Sequence, residues 1–268
     1  MVNALNLPPN YPTWVKQLET RFNQLPVIPR LPLLIASQQV GSIEESRASL
    51  LQKAGLVTIH NQGIHLGEHE LNAQLANIAS WLQKHGMADQ WRGELLAVTD
   101  ASGKEYGIIE RAAARPLGIT TFAVHLVGRA QNGDFWLQRR APHKSIDPGK
   151  LDTLAGGLVS AGETLQTALL RETWEEAGLK LPDLLATHQQ GQTKVRQPVN
   201  PEVGGYMVEH GFWYEYQIPP HLKPMNQDGE VTEFVKLSPQ ELIEQMLQGH
   251  VASLACLIFC HLLKGQPI

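Results

Sequence analysis

Residues 157 to 179 read GLVSAGETLQTALLRETWEEAGL, and the rest of the chain is best understood outward from them. On a helix turning about 100° per residue, Glu172, Glu175 and Glu176 fall within roughly 100° of arc. Leu169, Leu170, Thr173, Trp174 and Ala177 are expected on or near the opposite side, while the small Ala168 leaves space beside the carboxylates. Like charges at this spacing repel and destabilise an isolated helix. A hard divalent cation bound by oxygen ligands would offset that repulsion. Gly178 suits the left-handed position just past a helix end, and Gly156-Gly157 would let backbone carbonyls approach a metal or a phosphate. Taken singly, three glutamates on a helix are usually a solvated face, and paired glycines before a helix are usually a turn. The fixed register reverses those odds. Glu163 follows Gly157 after five residues, Arg171-Glu172 after seven more, and Glu175-Glu176 with Gly178-Leu179 close the set.

Downstream and upstream of this stretch the texture differs. From Gly118 onward, Thr120 to Val127 and Phe135 to Arg139 read as strands joined by the hairpin signal Asn132-Gly133. A loop with Pro142, Pro148 and Gly149 then leads into the glycine pair. After the long helix come β-like segments around Ala186 to Val195 and Tyr206 to Ile218, then helices over Pro239 to Leu247 and Val251 to Leu263. Strands on both sides of one helix, with helices at the end, suggest a mixed sheet between helical layers. Before Gly118 the chain reads as a smaller α+β unit. It has a helix around Thr13 to Gln24, and a capping box at Ser42-Ile43-Glu44-Glu45 opens a helix that Gly55 ends. A hairpin of Leu56 to His60 with Ile64 to Leu66 follows, then an amphipathic helix through Leu71, Leu75, Ile78, Ala79 and Leu82 that stops near Gly86. Leu95 to Val98 reads as a strand, and Tyr106 to Arg115 as either type. The boundary falls near residue 117, giving domains 1–117 and 118–268.

Composition narrows the class of protein. Of 268 residues, 43% are hydrophobic and 18% charged, which excludes wholesale disorder. The net charge of −4 carries no footprint of general nucleic-acid binding. No apolar run is long enough to cross a bilayer, and Met1 to Pro12 lacks the form of a signal peptide. Cys256 and Cys260, the two cysteines, would share one face of an apolar helix as buried free thiols. These signs together predict a cytoplasmic protein with neither nucleic acid nor membrane as partner.

The register above resembles the Nudix box, in which Gly, Glu, Arg-Glu, Glu-Glu and Gly stand at these spacings. The one departure is Thr173, where an aliphatic residue is usual. The resemblance implies an α/β fold, the α/β/α sandwich of that family with a mixed sheet, preceded here by the smaller α+β domain. It also implies metal-assisted attack of water on a diphosphate, with Mg2+ as cofactor and Mn2+ as the alternative. Carried over, Glu172, Glu175 and Glu176 would be metal ligands, joined by the Gly156 carbonyl. Arg171 would orient a carboxylate, and Gly157, Glu163 and Gly178 would be structural. Bound magnesium neutralises diphosphate oxygens and lowers the pKa of a coordinated water. Related folds often dimerise, so a homodimer is admitted.

The flanks IIERAA, FAVHLVG, LQRRAPHK, PGKLDTLAGG and DGEV resemble the Nudix branch that some fungi carry fused to thiamine pyrophosphokinase. That branch implies a small-molecule substrate, thiamine diphosphate or its oxidised forms, cleaved to the monophosphate and phosphate. The alternatives are a nucleoside diphosphate derivative (ADP-ribose, a dinucleotide or coenzyme A) and a ligand-sensing protein without catalysis. Arg139, Arg140, Lys144 and Lys150 put four cations beside the catalytic loop, where a diphosphate would need them, although any one could be a solvated surface residue. Glu230, within DGEV, is the candidate general base or extra ligand, the alternatives being Glu172 as base or no protein base beyond the metal. Asp152 either faces the substrate or caps a turn, and His125 reads as a satisfied core residue. Tyr206, Phe212, Trp213, Tyr214 and Tyr216 read as sheet core ahead of a stacking surface.

Overall fold

The computed structural model describes residues 7–144, 146–180, 189–199 and 204–264. The expected segment Met1 to Pro12 begins outside the described residues, and so does the expected strand from Ala186. The first helix, α1 (Tyr11–Arg21), is followed by β1 (Arg30–Ile35), β2 (Gln38–Glu44), α2 (Glu45–Lys53), β3 (Thr58–His60), β4 (Gly63–Leu66) and α3 (Leu71–Lys84). Strands β5 (Leu95–Thr99) and β6 (Glu105–Glu110) precede the single turn α4 (Arg111–Ala114). The second half contains β7 (Thr120–Arg129), β8 (Phe135–Arg140), β9 (Leu151–Asp152), β10 (Ala155–Leu158) and α5 (Leu165–Ala177). It ends with β11 (Gln189–Val199), β12 (Gly205–Gln217), β13 (Val231–Leu237), α6 (Pro239–Leu247) and α7 (Ser253–Lys264).

The larger sheet runs β11-β12-β7-β8-β13, with β10 added to β7 and β9 to β8. Only the β12–β7 pair is parallel among these, so the sheet is mixed, as the sequence predicts. One face carries α5 on Val124, Leu126, Leu154 and Ala155. The other carries α6 and α7 on Val127, Phe135, Leu137 and Trp213. Two helical layers therefore enclose the sheet, which is the expected sandwich. The rings of Phe135 and Phe259 meet edge to face at 5.2 Å, both fully buried. Burial of this kind contributes about 1.5–3 kcal/mol per side chain. Helix α1 joins this layer, with Tyr11, Val15 and Leu18 in the same core as α7. The Tyr11 hydroxyl donates to Cys260 Sγ at 3.6 Å. Both cysteines are buried free thiols, and burial pushes the Cys256 thiol up.

The first half holds a four-stranded sheet, β2-β1-β4-β3, and the β5–β6 ribbon, over a separate core that includes Leu75, Ile78, Leu96 and Ile109. The hairpin of β3 with β4 and the helix α3 are as the sequence predicts. The capping box at Ser42 is not: Ser42 lies inside β2, and the N-cap of α2 is Glu44, with no side-chain cap. The Ser42 amide is instead taken by the Leu117 carbonyl at 2.7 Å, which ties this sheet to the start of the larger one. Gly41 sits at that crossing because a Cβ there would lie 2.4 Å from the same carbonyl. Arg30 adds to the tie, donating to the carbonyls of Ser42, Pro116 and Gly204. Among the described residues no helix is long and apolar enough to cross a membrane.

Candidate active site

Helix α5 is built to start cleanly and to press one face on the sheet. Thr164 caps it by accepting from the Thr167 amide at 3.1 Å, and the Thr167 hydroxyl accepts in turn from the Thr164 amide. Ala168, Leu169, Thr173, Glu176 and Ala177 form its buried face. Leu170 and Trp174 lie opposite the carboxylates as expected, on the exposed side, whereas Leu169, Thr173 and Ala177 share the buried face with Glu176. The Lys180 ammonium lies over the Trp174 ring at 4.7 Å, so that ring is partly covered without entering the core.

Glu176 is the deepest carboxylate, 1% exposed. Its Oε2 accepts from the Gly156 amide and from Gln138 Nε2, both at 2.8 Å. Burial pushes its pKa up to about 8, against the opposing pull of Lys144 and the Gly156 amide and with help from the negative charge of Glu172. Glu172 is also raised by burial, opposed by Arg171 and reinforced by Glu175 and Glu94. Glu175 is the most open of the three. Gly157 lets Glu172 lie against strand β10, and Gly156 lets that strand pass close to β7. A Cβ on Gly157 would stand 2.2 Å from Glu172 Oε1, and one on Gly156 would stand 2.6 Å from His125 Nδ1 and 2.9 Å from the Val124 carbonyl.

Arg171 organises the open side. Its Nε and Nη2 donate to the two oxygens of Glu163, each at 2.8 Å, a bidentate pair. Nη2 also donates to the Leu158 carbonyl at 3.0 Å, while Nη1 donates to Glu172 at 2.7 Å and Glu175 at 3.2 Å. Glu163 in turn accepts from the Ser160 amide at 3.0 Å, so the loop before the helix is braced through one carboxylate. Chiefly the Arg171 hydrogen bond holds the Glu163 carboxyl below its ordinary range.

At the far end of α5, Gly178 takes φ +62°, the left-handed cap expected of it. The chain at 225–227 closes over the helix end, with Met225 donating to the Ala177 carbonyl at 2.8 Å and Gln227 to that of Glu175 at 3.1 Å. A Cβ on Gly178 would lie 2.6 Å from the Met225 carbonyl. The same loop delivers Glu230, whose carboxylate accepts from Lys144 Nζ; that nitrogen also stands 3.6 Å from Glu176. Burial alone would raise the Glu230 carboxyl, but Lys144, with Arg92 and Arg111 nearby, holds it below the usual range. Five acidic groups, Glu163, Glu172, Glu175, Glu176 and Glu230, thus gather with two cations, Arg171 and Lys144.

Residues 119–256 match the family described as the NUDIX domain. The chain belongs to the Nudix family. Among curated proteins, the Arabidopsis thaliana protein named Nudix hydrolase 24, chloroplastic, is 28% identical over 218 residues, covering 76% of this chain and 58% of its own. A Nostoc protein named as an uncharacterized Nudix hydrolase is 30% identical over 165 residues, covering 59% of this chain and 89% of its own. A crystal structure from Deinococcus radiodurans shares 23% identity at a TM-score of 0.44, over 64% of this chain and 98% of that one. The chain spans about half the length of the first curated relatives it matches.

Of the four cations expected near the Nudix carboxylates, only Lys144 touches them. Arg139 is held by Glu233 and the Gly149 carbonyl, Arg140 by Asp152 at 2.7 Å, and Lys150 by Asp147 at 2.8 Å. Asp152 therefore anchors Arg140. Among the described residues, no three carboxylate, imidazole or thiolate groups converge on one point as they stand, because each box carboxylate is tied to protein donors. The donor set still suits a hard cation: three carboxylates and a glycine carbonyl, all oxygen, with Glu176 buried and Glu172 partly buried beside like charge. His125 is not the satisfied core residue expected. Its Nδ1 lies 3.3 Å from Thr153 Oγ1, its Nε2 has no hydrogen-bond partner among the described residues, and burial lowers its pKa. Tyr206 and Trp213 are buried, and Tyr214 and Tyr216 pack against the core under α5, so these aromatics form sheet core. Gln138, which fixes Glu176, lies outside the set expected from the sequence. Gln138 had a weak signal, since alternation along Phe135 to Arg139 puts it on the face opposite Phe135 and Leu137.

Proposed function

We propose that the chain is a divalent-metal-dependent hydrolase of a diphosphate linkage. The observation that carries the reading is the seating of Glu172 against Gly157, where a Cβ would stand 2.2 Å from its Oε1, beside Glu176, which accepts from the Gly156 amide at 2.8 Å. Glu172, Glu175 and Glu176, with the Gly156 carbonyl, would hold Mg2+, or Mn2+ in its place. When bound, such an ion supplies charge neutralisation at the diphosphate and a more acidic water. The chain's own residues do the remainder. Arg171 fixes the carboxylates of Glu172 and Glu175, and Gln138 fixes that of Glu176. Glu230, held in its charged form, is placed to accept a proton or to add an oxygen ligand, and Lys144 can transfer its hydrogen bonds from Glu230 to a phosphate oxygen. Arg139, Arg140 and Lys150 then act through the loop they brace.

Thiamine diphosphate or its oxidised derivatives is the substrate favoured by the flanking motifs, with release of the monophosphate and phosphate. Domains 1–117 and 118–268 remain the proposed division, with α1 lent to the second. The test is a panel with magnesium: thiamine diphosphate, its oxo form, ADP-ribose, NADH, coenzyme A and a diadenosine polyphosphate. Selective cleavage of the thiamine compounds supports the assignment. Preference for a nucleotide keeps the chemistry and removes the thiamine reading.

A further inference from the structure

Strand β10, which carries the glycine pair, is held by side chains from both faces of the sheet. From the α5 side, Glu176 takes the Gly156 amide at 2.8 Å. From the other side comes His125. Val124 and Leu126 of β7 pack under α5 and Val127 packs with α6 and α7, so strand alternation puts His125 on the face of Val127. His125 is the register partner of Gly156. Its ring lies so close that a Cβ on Gly156 would stand 2.6 Å from Nδ1 and 3.3 Å from Cε1. The imidazole is 7% exposed, and the proposed mechanism has no use for it.

A short chain of hydrogen bonds fixes the ring. His125 Nδ1 lies 3.3 Å from the hydroxyl of Thr153, a fully buried residue, and that hydroxyl donates to the Ala155 carbonyl at 3.3 Å. With the hydroxyl proton directed at the carbonyl, the imidazole must carry its own proton on Nδ1 to complete the chain. Nε2 is then a bare lone pair, and it has no hydrogen-bond partner among the described residues. The peptide group between Ala155 and Gly156 is thus tied at both ends, its carbonyl to Thr153 and its amide to Glu176. The His125 ring closes a third side, against the Gly156 Cα.

We infer that His125 is a positioning residue for the metal site: with Thr153 it fixes the peptide that presents the Gly156 amide to Glu176 and the Gly156 carbonyl to a divalent cation. The inference rests on the proposed function and adds to it two residues that touch no ligand. Support from behind matters at this position because glycine has no side chain to restrict its dihedrals, so its surroundings set the direction of its carbonyl. Groups that orient metal ligands in this way are worth about tenfold or more in metal affinity. A role in packing alone is met better by an apolar residue, since a buried imidazole with one nitrogen unsatisfied costs stability.

The probe is Mn2+, titrated into the full chain and followed by the EPR signal of the free ion. Leucine and asparagine share a shape, but only asparagine offers an N–H where the Nδ1 proton of histidine stands. His125→Leu should weaken Mn2+ binding by about tenfold, while His125→Asn should stay within about twofold of wild type. Thr153→Val removes the hydroxyl at constant shape and should show the same loss as His125→Leu. The double variant should bind no worse than either single one, because both residues act through one chain of bonds. Thermal melts run alongside identify the folded variants, and Thr153→Val carries the test if His125→Leu does not fold. Wild-type Mn2+ affinity in a folded His125→Leu or Thr153→Val variant would overturn the inference, as would His125→Asn binding as weakly as His125→Leu. A wild type that binds Mn2+ in this His125-dependent way and cleaves no diphosphate would sink the hydrolase reading alone. One that cleaves diphosphates, with variants that bind Mn2+ as it does, would sink the inference alone, and a wild type that takes up no Mn2+ would overturn both.

Discussion

Gly157→Ala separates the placement of one carboxylate from the stability of the fold. The new Cβ would stand 2.2 Å from Glu172 Oε1, so the carboxylate must retreat by about 1 Å to reach ordinary contact. The obstacle is the end of a flexible side chain, and Gly157 has no positive φ to be strained by a side chain. The fold should therefore survive. The loss is part of the Glu172–Arg171 hydrogen bond, about 1–2 kcal/mol after allowing for the exposure of Arg171, offset by roughly 0.5 kcal/mol from the stiffer unfolded chain. For a chain of this size that is a fall in Tm of no more than about 8 °C. Turnover is another matter, because a displacement near 1 Å at a reacting centre costs on the order of a hundredfold in rate. Magnesium-dependent phosphate release and a thermal melt, run on the same preparation, read both quantities. Gly156→Ala is the contrasting variant, since its Cβ would meet the Val124 backbone carbonyl at 2.9 Å as well as His125, and backbone cannot step aside. It should lose stability first. Full activity in Gly157→Ala would refute the argument, and so would a collapse of the fold equal to that of Gly156→Ala.

Two further outcomes follow from buried groups. Thr173 is fully buried in α5 and its hydroxyl has no partner among the described residues, so Thr173→Val should stabilise the chain by about 1 kcal/mol, read in urea melts. A destabilised Thr173→Val variant would mean that the hydroxyl is satisfied. Asp147 accepts from the Ser253 amide at 3.0 Å at the start of α7, and burial, which alone would raise its carboxyl, is outweighed by Lys150 and that amide, leaving it below the usual range. A depressed carboxylate contributes stability that is present above its unfolded value, near about 4, and lost as pH falls through the folded value. Asp147→Asn should thus be less stable than wild type at pH 6 by up to about 1 kcal/mol, with the gap closing as the pH is lowered below about 4. A gap independent of pH would contradict the ion pair.

The carboxylate site was largely legible because its parts are local: Gly157, Glu163, Arg171, Glu172, Glu175, Glu176 and Gly178 lie within one loop and one helix whose periodicity fixes which residues share a face. The same argument set Leu169, Thr173 and Ala177 against the carboxylates, although they share the buried face with Glu176, since helical phase alone does not say how wide the buried stripe is. In the first half, β1 and β2 escaped notice because their turn, Ala36-Ser37, takes φ of +48° and +65° without the glycine or asparagine that usually marks it. Ser42-Ile43-Glu44-Glu45 has the residues of a capping box, but the distant Leu117 carbonyl claims the Ser42 amide and keeps Ser42 in a strand. Helix α1 looked like part of the first domain, yet its apolar face completes the layer under α7, a contact across almost the whole chain. Gln138 was legible only in part. Strand alternation gives the face of Gln138 but not the Glu176 carboxylate that it meets from another element.

The most direct test of the central claim is magnesium-dependent cleavage of the preferred diphosphate by wild type, Glu175→Gln and Glu176→Gln, with magnesium affinity and thermal stability measured alongside. The account predicts folded variants with weakened magnesium binding and no metal-dependent turnover, while the wild type loses activity on chelation and regains it with the metal. Variants that bind magnesium and turn over as the wild type does would show that the carboxylates of α5 do not perform the chemistry.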